Sequence, residues 1–438
     1  MKNRNKVSLG NINGIRQVNN FSSFTGNSTF NNITINSFSI FNGNATFDNY
    51  TVNNRINYAQ VEVRSPNGNI RLFKTSTNTD SARGQLLLNA QGNASANDTI
   101  FVGPGTYIIT STLGKNGVNW WFAPGATVKR TDSDNTELWS DNGTDMDFVV
   151  DGYARFIHNG NEGTGIEFTN SGSNIIMKFL SIETTFNDIN TPAIHTSNGT
   201  IKIYADDYIK SAGYDAIWNS GNTTLEVHSS YIYAYENAVE VSGGYETRVH
   251  ANRIEGNAGS TSGNSGTLNF DGGNNIYIYA DRITALANDY IVLYTLTQNG
   301  NHTTNIYAQK IDGYLSLNQN ANVNIYDATI NSSKSDTSTI VLSNNNLTLK
   351  DVNLITNSSQ IKSIESSSSV NISIVGTLTI NKPLQSTINI ITGNVNFNST
   401  TILPSITLPP CNANYTGAQA RNSTKIYFCD GSAWNALY

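Results

Sequence analysis

Residues 275–283 read NIYIYADRI, and the phrase recurs. It stands upstream as TIKIYADDYI (200–209) and downstream as TNIYAQKI (304–311) and VNIYDATI (323–330). Each copy sets an apolar residue before an aromatic or similar ring, follows it with a small residue, and returns to Ile five or six positions on. Taking the apolar residue as an anchor gives Ile203, Val227, Val249, Ile278, Ile306, Ile325, Leu349 and Ile374, with Val150 and Met177 fitting more loosely upstream. The nine intervals from 150 to 374 average about 25 residues and range from 19 to 29. A variable period of this size, built of short alternating segments between Gly, Asn and Ser turns, is the mark of a parallel β-helix with one coil per period. A leucine-rich repeat would need a Leu frame with a fixed Asn, and a propeller ~40 residues per blade. The fold class expected is therefore all-β, with a parallel β-helix over residues 57–403. The anchor and the later Ile point inward and stack on their counterparts in the coils above and below.

Composition agrees and narrows the function. Charged residues make up 13 % of the 438, about half the ~25 % usual for soluble domains. Lys and Arg number 26 against 32 acids, a net charge of −6, which argues against a nucleic-acid partner, since that needs a basic face. No run of ~18 apolar residues exists, so no membrane insertion is expected. The N-terminus has a basic start but no apolar segment of the kind a secretory signal carries. No long helical pattern of Leu, Ala, Glu and Lys is evident.

Before the β-helix, residues 21–37 (FSSFTGNSTFNNITINS) and 38–54 (FSIFNGNATFDNYTVNN) match at ten of seventeen positions without a gap. Two such repeats are too small to bury a core alone. Several copies winding around one axis would cover the Phe residues. The stretch resembles the shaft repeats of phage fibre proteins, which are trimeric. That resemblance implies a homotrimer, with residues 1–56 as shaft and as attachment to other virion proteins. Residues 98–128 hold PGTY (104–107) and PGATV (124–128). These resemble the opening coils of the pectate-lyase-like right-handed β-helix superfamily, which includes lyases, hydrolases and non-enzymatic spikes. Past Pro404, Pro409 and Pro410, residues 411–438 resemble a small Cys/Trp module of phage and bacterial surface proteins. Cys411, Asn422, Ser423, Thr424, Lys425, Cys429, Gly431 and Trp434 fit it, and Arg421 stands where a Tyr is expected. STKIYFC followed by DGSAW reads as a hairpin with an Asp-Gly turn, in a module at 404–438. A Cys411–Cys429 disulfide is possible within it.

Neighbours of an inward strand residue point outward. The position after each anchor reads Tyr204, His228, His250, Tyr279, Tyr307, Tyr326 and Lys350, a ring column roughly 30 Å long at ~4.8 Å per coil. The position before reads Lys202, Glu226, Arg248 and Tyr277, and the position three after reads Asp206, Ser230, Asn252, Asp281 and Gln309. Flat rings suit the apolar faces of sugars, and flanking polar groups suit hydroxyls. An aromatic ladder also stabilises strands with no ligand at all. The carbohydrate-binding candidates are Tyr204, Asp206, Glu226, His228, Arg248, His250, Tyr279, Asp281, Tyr307 and Tyr326. No pair of carboxylates in these columns falls at the ~5–10 Å that glycoside hydrolysis needs. His228 and His250 lack a third metal ligand, and His158, His195 and His302 are scattered, so no metal or cofactor is expected. The functional expectation is a virion-surface fibre or tailspike protein that recognises host-surface polysaccharide. A depolymerase on the same scaffold, hydrolase or lyase, is the alternative, and a secreted bacterial adhesin a weaker one.

Overall fold

The computed structural model describes seven short strands between residues 16 and 52, the chain from 61 to 397 apart from some turns, residue 411, and residues 419–436 apart from 423 and 424. The chain is nearly all strand, wound as a parallel β-solenoid of about 9 turns set about 25 residues apart.

The anchors are register partners one after another. Ile203 pairs with Val227, then Val249, Ile278, Ile306, Ile325, Leu349 and Ile374. The same column runs upstream through Met177, Val150 and Trp120 to Ile100. None of these residues is more than 2 % exposed. A second inward column runs from Tyr107 through Val128, Phe156, Ile182, Ile209, Ile232, Ile254, Ile283 and Ile311 to Ile380. A third, which the anchor pattern does not reveal, lies on the short strands and runs from Trp139 through Ile217 and Leu293 to Ile364. With a further buried column two positions before the anchors, from Ile175 through Ile201, Leu225 and Ile276 to Ile372, these stacked side chains fill the bore of the solenoid. Each fully buried Ile or Leu contributes about 1.5–3 kcal/mol. The first coils are filled by rings instead. Trp120, Trp139, Phe122 and Phe156 meet at centroid distances of 5.2–6.3 Å, mostly edge to face, the arrangement aromatic quadrupoles favour.

The open end of the first coil is closed by a hairpin, Val61–Arg64 with Ile70–Phe73, whose first strand pairs antiparallel with Thr99–Val102. A helix, Asp80–Asn93, lies beside it. It is short and contains neither Glu nor Lys, so it lies outside the long Leu, Ala, Glu and Lys pattern that the sequence lacks. Thr79 caps the helix by accepting the Ala82 N–H at 3.3 Å, and Leu86, Leu87 and Ala90 are buried. Gly84 lets the helix touch the strand Gly105–Ile109, since a Cβ there would sit 1.6 Å from the Ile108 carbonyl oxygen. The helix hides apolar ends that an unclosed solenoid would leave wet.

In the N-terminal zone the seventeen-residue repeat pairs with itself. Arg16–Val18, Ile33–Ile35 and Tyr50–Val52 form one parallel ladder. Ser23–Thr25 pairs with Ile40–Asn42, and Ser28–Phe30 with Ala45–Phe47. Coil-on-coil backbone pairing is therefore met within one chain here. The side chains of that zone, on which the burial argument turned, lie outside the described residues.

At the C-terminus, Lys425–Cys429 and Trp434–Ala436 form the expected hairpin, and Gln419–Asn422 adds a third antiparallel strand. Asp430 accepts the Ser432 and Ala433 N–H groups at 2.8 Å and so closes the turn. These bonds favour its charged form and hold its carboxyl below the usual range. Cys411 is disulfide-bonded.

His302 carries a testable consequence of burial. It is 0 % exposed, and neither ring nitrogen has a hydrogen-bond partner among the described residues. Burial penalises the imidazolium and pushes its pKa from 6.5 down to about 4. The unfolded chain then binds more protons in that interval. The stability this supplies is full above about pH 6.5 and is lost as pH falls through about 4. His302→Leu removes the titration. Comparing urea unfolding at about pH 7 and pH 4.5, we expect the parent to lose about 2–3 kcal/mol more than the variant. Equal losses would place the acid sensitivity elsewhere.

Candidate functional site

Each coil bends just after the ring column. The register slips between Ala205 and Tyr208, and in later coils the bend residues Asp327 and Asp351 take left-handed φ of 55° and 52°. The strand turns away there, and the bends align into a groove of about 620 Å³ along the solenoid. One side is the ring column Tyr204, His228, His250, Tyr279, Tyr307 and Tyr326. The floor is the small-residue position, Ala205, Ser229, Ala251, Ala280 and Ala308. The opposite wall is Asp206, Ser230, Asn252, Asp281, Gln309 and Asp327. The small residues are required: a larger side chain at the floor would fill the groove.

The rings stack on one another, not alongside one another. Centroid distances from Tyr204 through to Tyr326 are 4.9, 4.3, 4.3, 4.8 and 4.4 Å, with interplanar angles of 2–17°. The column is thus roughly 23 Å long, close to the ~4.8 Å strand spacing per step. Lysines stand at its two ends. Lys178 Nζ lies 5.9 Å from the Tyr204 centroid, and Lys350 is the register partner of Tyr326. The ring faces are therefore spent on each other, and the groove sees ring edges. This corrects the expectation of a row of faces open to sugar. The sequence places the rings in one column but cannot give their torsion.

Eight of the ten carbohydrate candidates line the groove. Glu226 and Arg248 do not, because they stand on the column before the anchors. Glu226 accepts from His228 Nε2 at 2.8 Å and pairs with Lys202 Nζ at 3.3 Å. The His228 hydrogen bond is the chief reason its carboxyl lies below the usual range. Arg248 pairs with Glu246 at 2.9 Å and lies over the Tyr277 ring at 5.3 Å. His250, between His228 and Tyr279, has a lowered pKa. Burial is the first cause and the adjacent His228 the second. Among the described residues, no three His, Cys, Asp or Glu side chains converge as a metal site would require.

The neighbouring face, built from the short strands, holds a carboxyl cluster that sequence columns do not suggest. Asn237 Nδ2 donates to Asp215 Oδ1 at 2.8 Å and to Glu240 Oε2 at 3.0 Å. Burial pushes Asp215 well above the carboxylate range and Glu240 up as well. Asp215 is 0 % exposed, so it is out of reach of any substrate and acts as a buried polar tie between coils.

No protein-family model, no curated protein and no solved structure matches this chain.

The stacked rings should contribute to stability whether or not a ligand binds. Tyr279→Ala removes contacts to His250 and Tyr307, each worth about 0.5–1 kcal/mol. We expect about 1–2 kcal/mol of destabilisation by urea unfolding, while Tyr279→Phe, which keeps both stacks, changes stability by less than about 0.5 kcal/mol. A similar loss in both variants would assign the effect to the hydroxyl.

Proposed function

We propose that the protein is a virion-surface fibre or tailspike that binds an extended, uncharged host-surface polysaccharide along this groove. The observation that carries the reading is the groove itself: an open channel crossing six coils, with hydrogen-bonding groups repeated at every coil. Such a site suits a chain of similar hydroxylated units better than one compact ligand. Sugar hydroxyls would meet the amide and carboxylate groups of Asn252, Asp281 and Gln309 and the ring edges opposite. The fibre assignment rests on the shaft-like N-terminal repeat and the solenoid. A homotrimer, attached to other virion proteins through residues 1–56, follows from the same resemblance.

The charge pattern supports an uncharged glycan. Asp206, Asp281 and Asp327 line the wall, and among the described residues no Lys or Arg lines the groove between the lysines at its two ends. The basic residues just beyond the bend are turned to acids on the next face. Arg253 pairs with Glu255, and Arg282 and Lys310 with Asp312. A polyanion would meet carboxylates with no countercharge, which costs affinity.

The test uses the exposed wall and leaves the ladder intact. Asn252→Ala with Asp281→Ala should weaken retention on neutral host polysaccharide about tenfold or more, with stability within about 0.5 kcal/mol of the parent. Retention that survives, or a parent that prefers uronate-rich polymer over neutral polymer, would overturn the reading.

A further inference from the structure

A second site lies on the short-strand face, outside the groove. His195 Nδ1 is 2.8 Å from Glu167 Oε1, and His195 Nε2 is 2.8 Å from Ser220 Oγ. The three residues come from three successive coils, and Glu167 and His195 are direct register partners. We propose that Ser220, His195 and Glu167 form a nucleophile, base and positioning carboxylate that hydrolyse small carboxylic esters, the class to which O-acetyl groups on sugars belong.

The polarity of the chain is fixed by its ends. Glu167 lies below the usual carboxylate range, chiefly through its hydrogen bond with His195. An ionised carboxylate only accepts, so His195 Nδ1 carries the proton and Nε2 is left to accept from the Ser220 hydroxyl. A second carboxyl, Glu137, lies beside Glu167. Burial first, and then the nearby Glu167, push its carboxyl up. The imidazole is further held by Trp218, whose ring stacks on it at 4.3 Å and 18°. Trp218 in turn donates its indole N–H to Ser242 Oγ at 3.3 Å.

The backbone aims Ser220. Between Thr196 and Asn198 the register slips, so Ser220 and Gly221 of one coil face Ser197 alone. A bulge of this kind redirects a side chain out of its column. It also demands glycine at 221, where a Cβ would sit 1.9 Å from the Ser197 carbonyl oxygen. Ordinary ladders on this solenoid pair like with like, as Asn324 with Asn305 at 3.0 Å and Asn346 with Asn322 at 2.8 Å. A carboxylate, an imidazole and a hydroxyl joined in that order through both ring nitrogens is the pattern of an activated nucleophile. His195 and Glu167 are 13 % and 27 % exposed, partly dried yet reachable. Serine and glycine neighbour Ser220 at 197, 221, 242 and 243, small groups that suit a short acyl chain.

The step balances with water alone. Ser220 Oγ attacks the ester carbonyl carbon as its proton passes to His195 Nε2. The carbon–alkoxy bond breaks, His195 returns that proton to the departing alcohol, and the acyl group stays on Ser220. Water then gives a proton to His195 and its oxygen to the acyl carbon, releasing the acid as the proton returns to Ser220.

The full chain is incubated with a fluorophosphonate probe and the adduct located by peptide mass spectrometry, with p-nitrophenyl acetate turnover measured in parallel. The expected results are an adduct on Ser220 and turnover reduced at least a hundredfold in Ser220→Ala and His195→Ala. Glu167→Gln should lower kcat with little change in KM, a split that a merely structural contact would not produce. An unlabelled Ser220 in the parent protein, or turnover unchanged in Ser220→Ala, overturns the proposal. The labelling arm needs no variant to fold.

Discussion

Parallel coil-on-coil register is the constraint on which everything else in this protein depends. Backbone hydrogen bonds hold each strand against the equivalent strand one turn away, so every residue is stacked on its own kind of position at ~4.8 Å. Inward, that rule rewards repetition, and the anchor column stays apolar from Ile100 to Ile374. Outward, the same rule punishes repeated charge. Two like charges 4.8 Å apart cost about 1 kcal/mol in water and about 3.5 kcal/mol at an effective dielectric of 20. The low charge content of the sequence follows from this. Where charges do stack they alternate, as in Lys202, Glu226 and Arg248, or each of the like charges is paired with an acid, as the register partners Arg253, Arg282 and Lys310 are with Glu255 or Asp312. Asn, Thr, Ser and Tyr fill the remaining outward positions because each tolerates a copy of itself above and below.

Function, on this view, has to be built where the register is broken. The groove exists because the strand bends after the small-residue position, and the slip between Ala205 and Tyr208 is one such break. Ser220 reaches His195 because a bulge gives its coil one residue more than the coil beneath. Regular stretches between these breaks can only repeat a contact, whereas a bend opens space and a bulge redirects a side chain.

These differences decide what a sequence reader can see. The spacing of NIYIYADRI and its relatives exposes two inward columns and the ring column, because all three sit within one strand and keep a fixed offset. The third inward column is hidden by turns of variable length, which uncouple Ile217 and Leu293 from the anchors. The capping helix Asp80–Asn93 has few apolar residues and no long stripe. It is specified by the open end it covers, a tertiary demand that local pattern does not record. Glu167, His195 and Ser220 lie 28 and 25 residues apart. Their meeting depends on a one-residue bulge, marked in sequence only by Gly221.

Ring orientation is the remaining property that the sequence leaves open, and it changes the chemistry of the groove. Had the rings faced solvent, recognition would rest on apolar contact with sugar faces, which discriminates weakly among sugars. Because Tyr204 to Tyr326 stack on each other, their faces are committed to holding the coils. What remains for a ligand is a set of edges and polar side chains. Binding through hydrogen bonds is penalised sharply when a hydroxyl is missing or misplaced, since a desolvated partner is then left unsatisfied. On the carbohydrate reading proposed above, the ladder that stabilises the solenoid would therefore also make the groove a selective site and not a tolerant one.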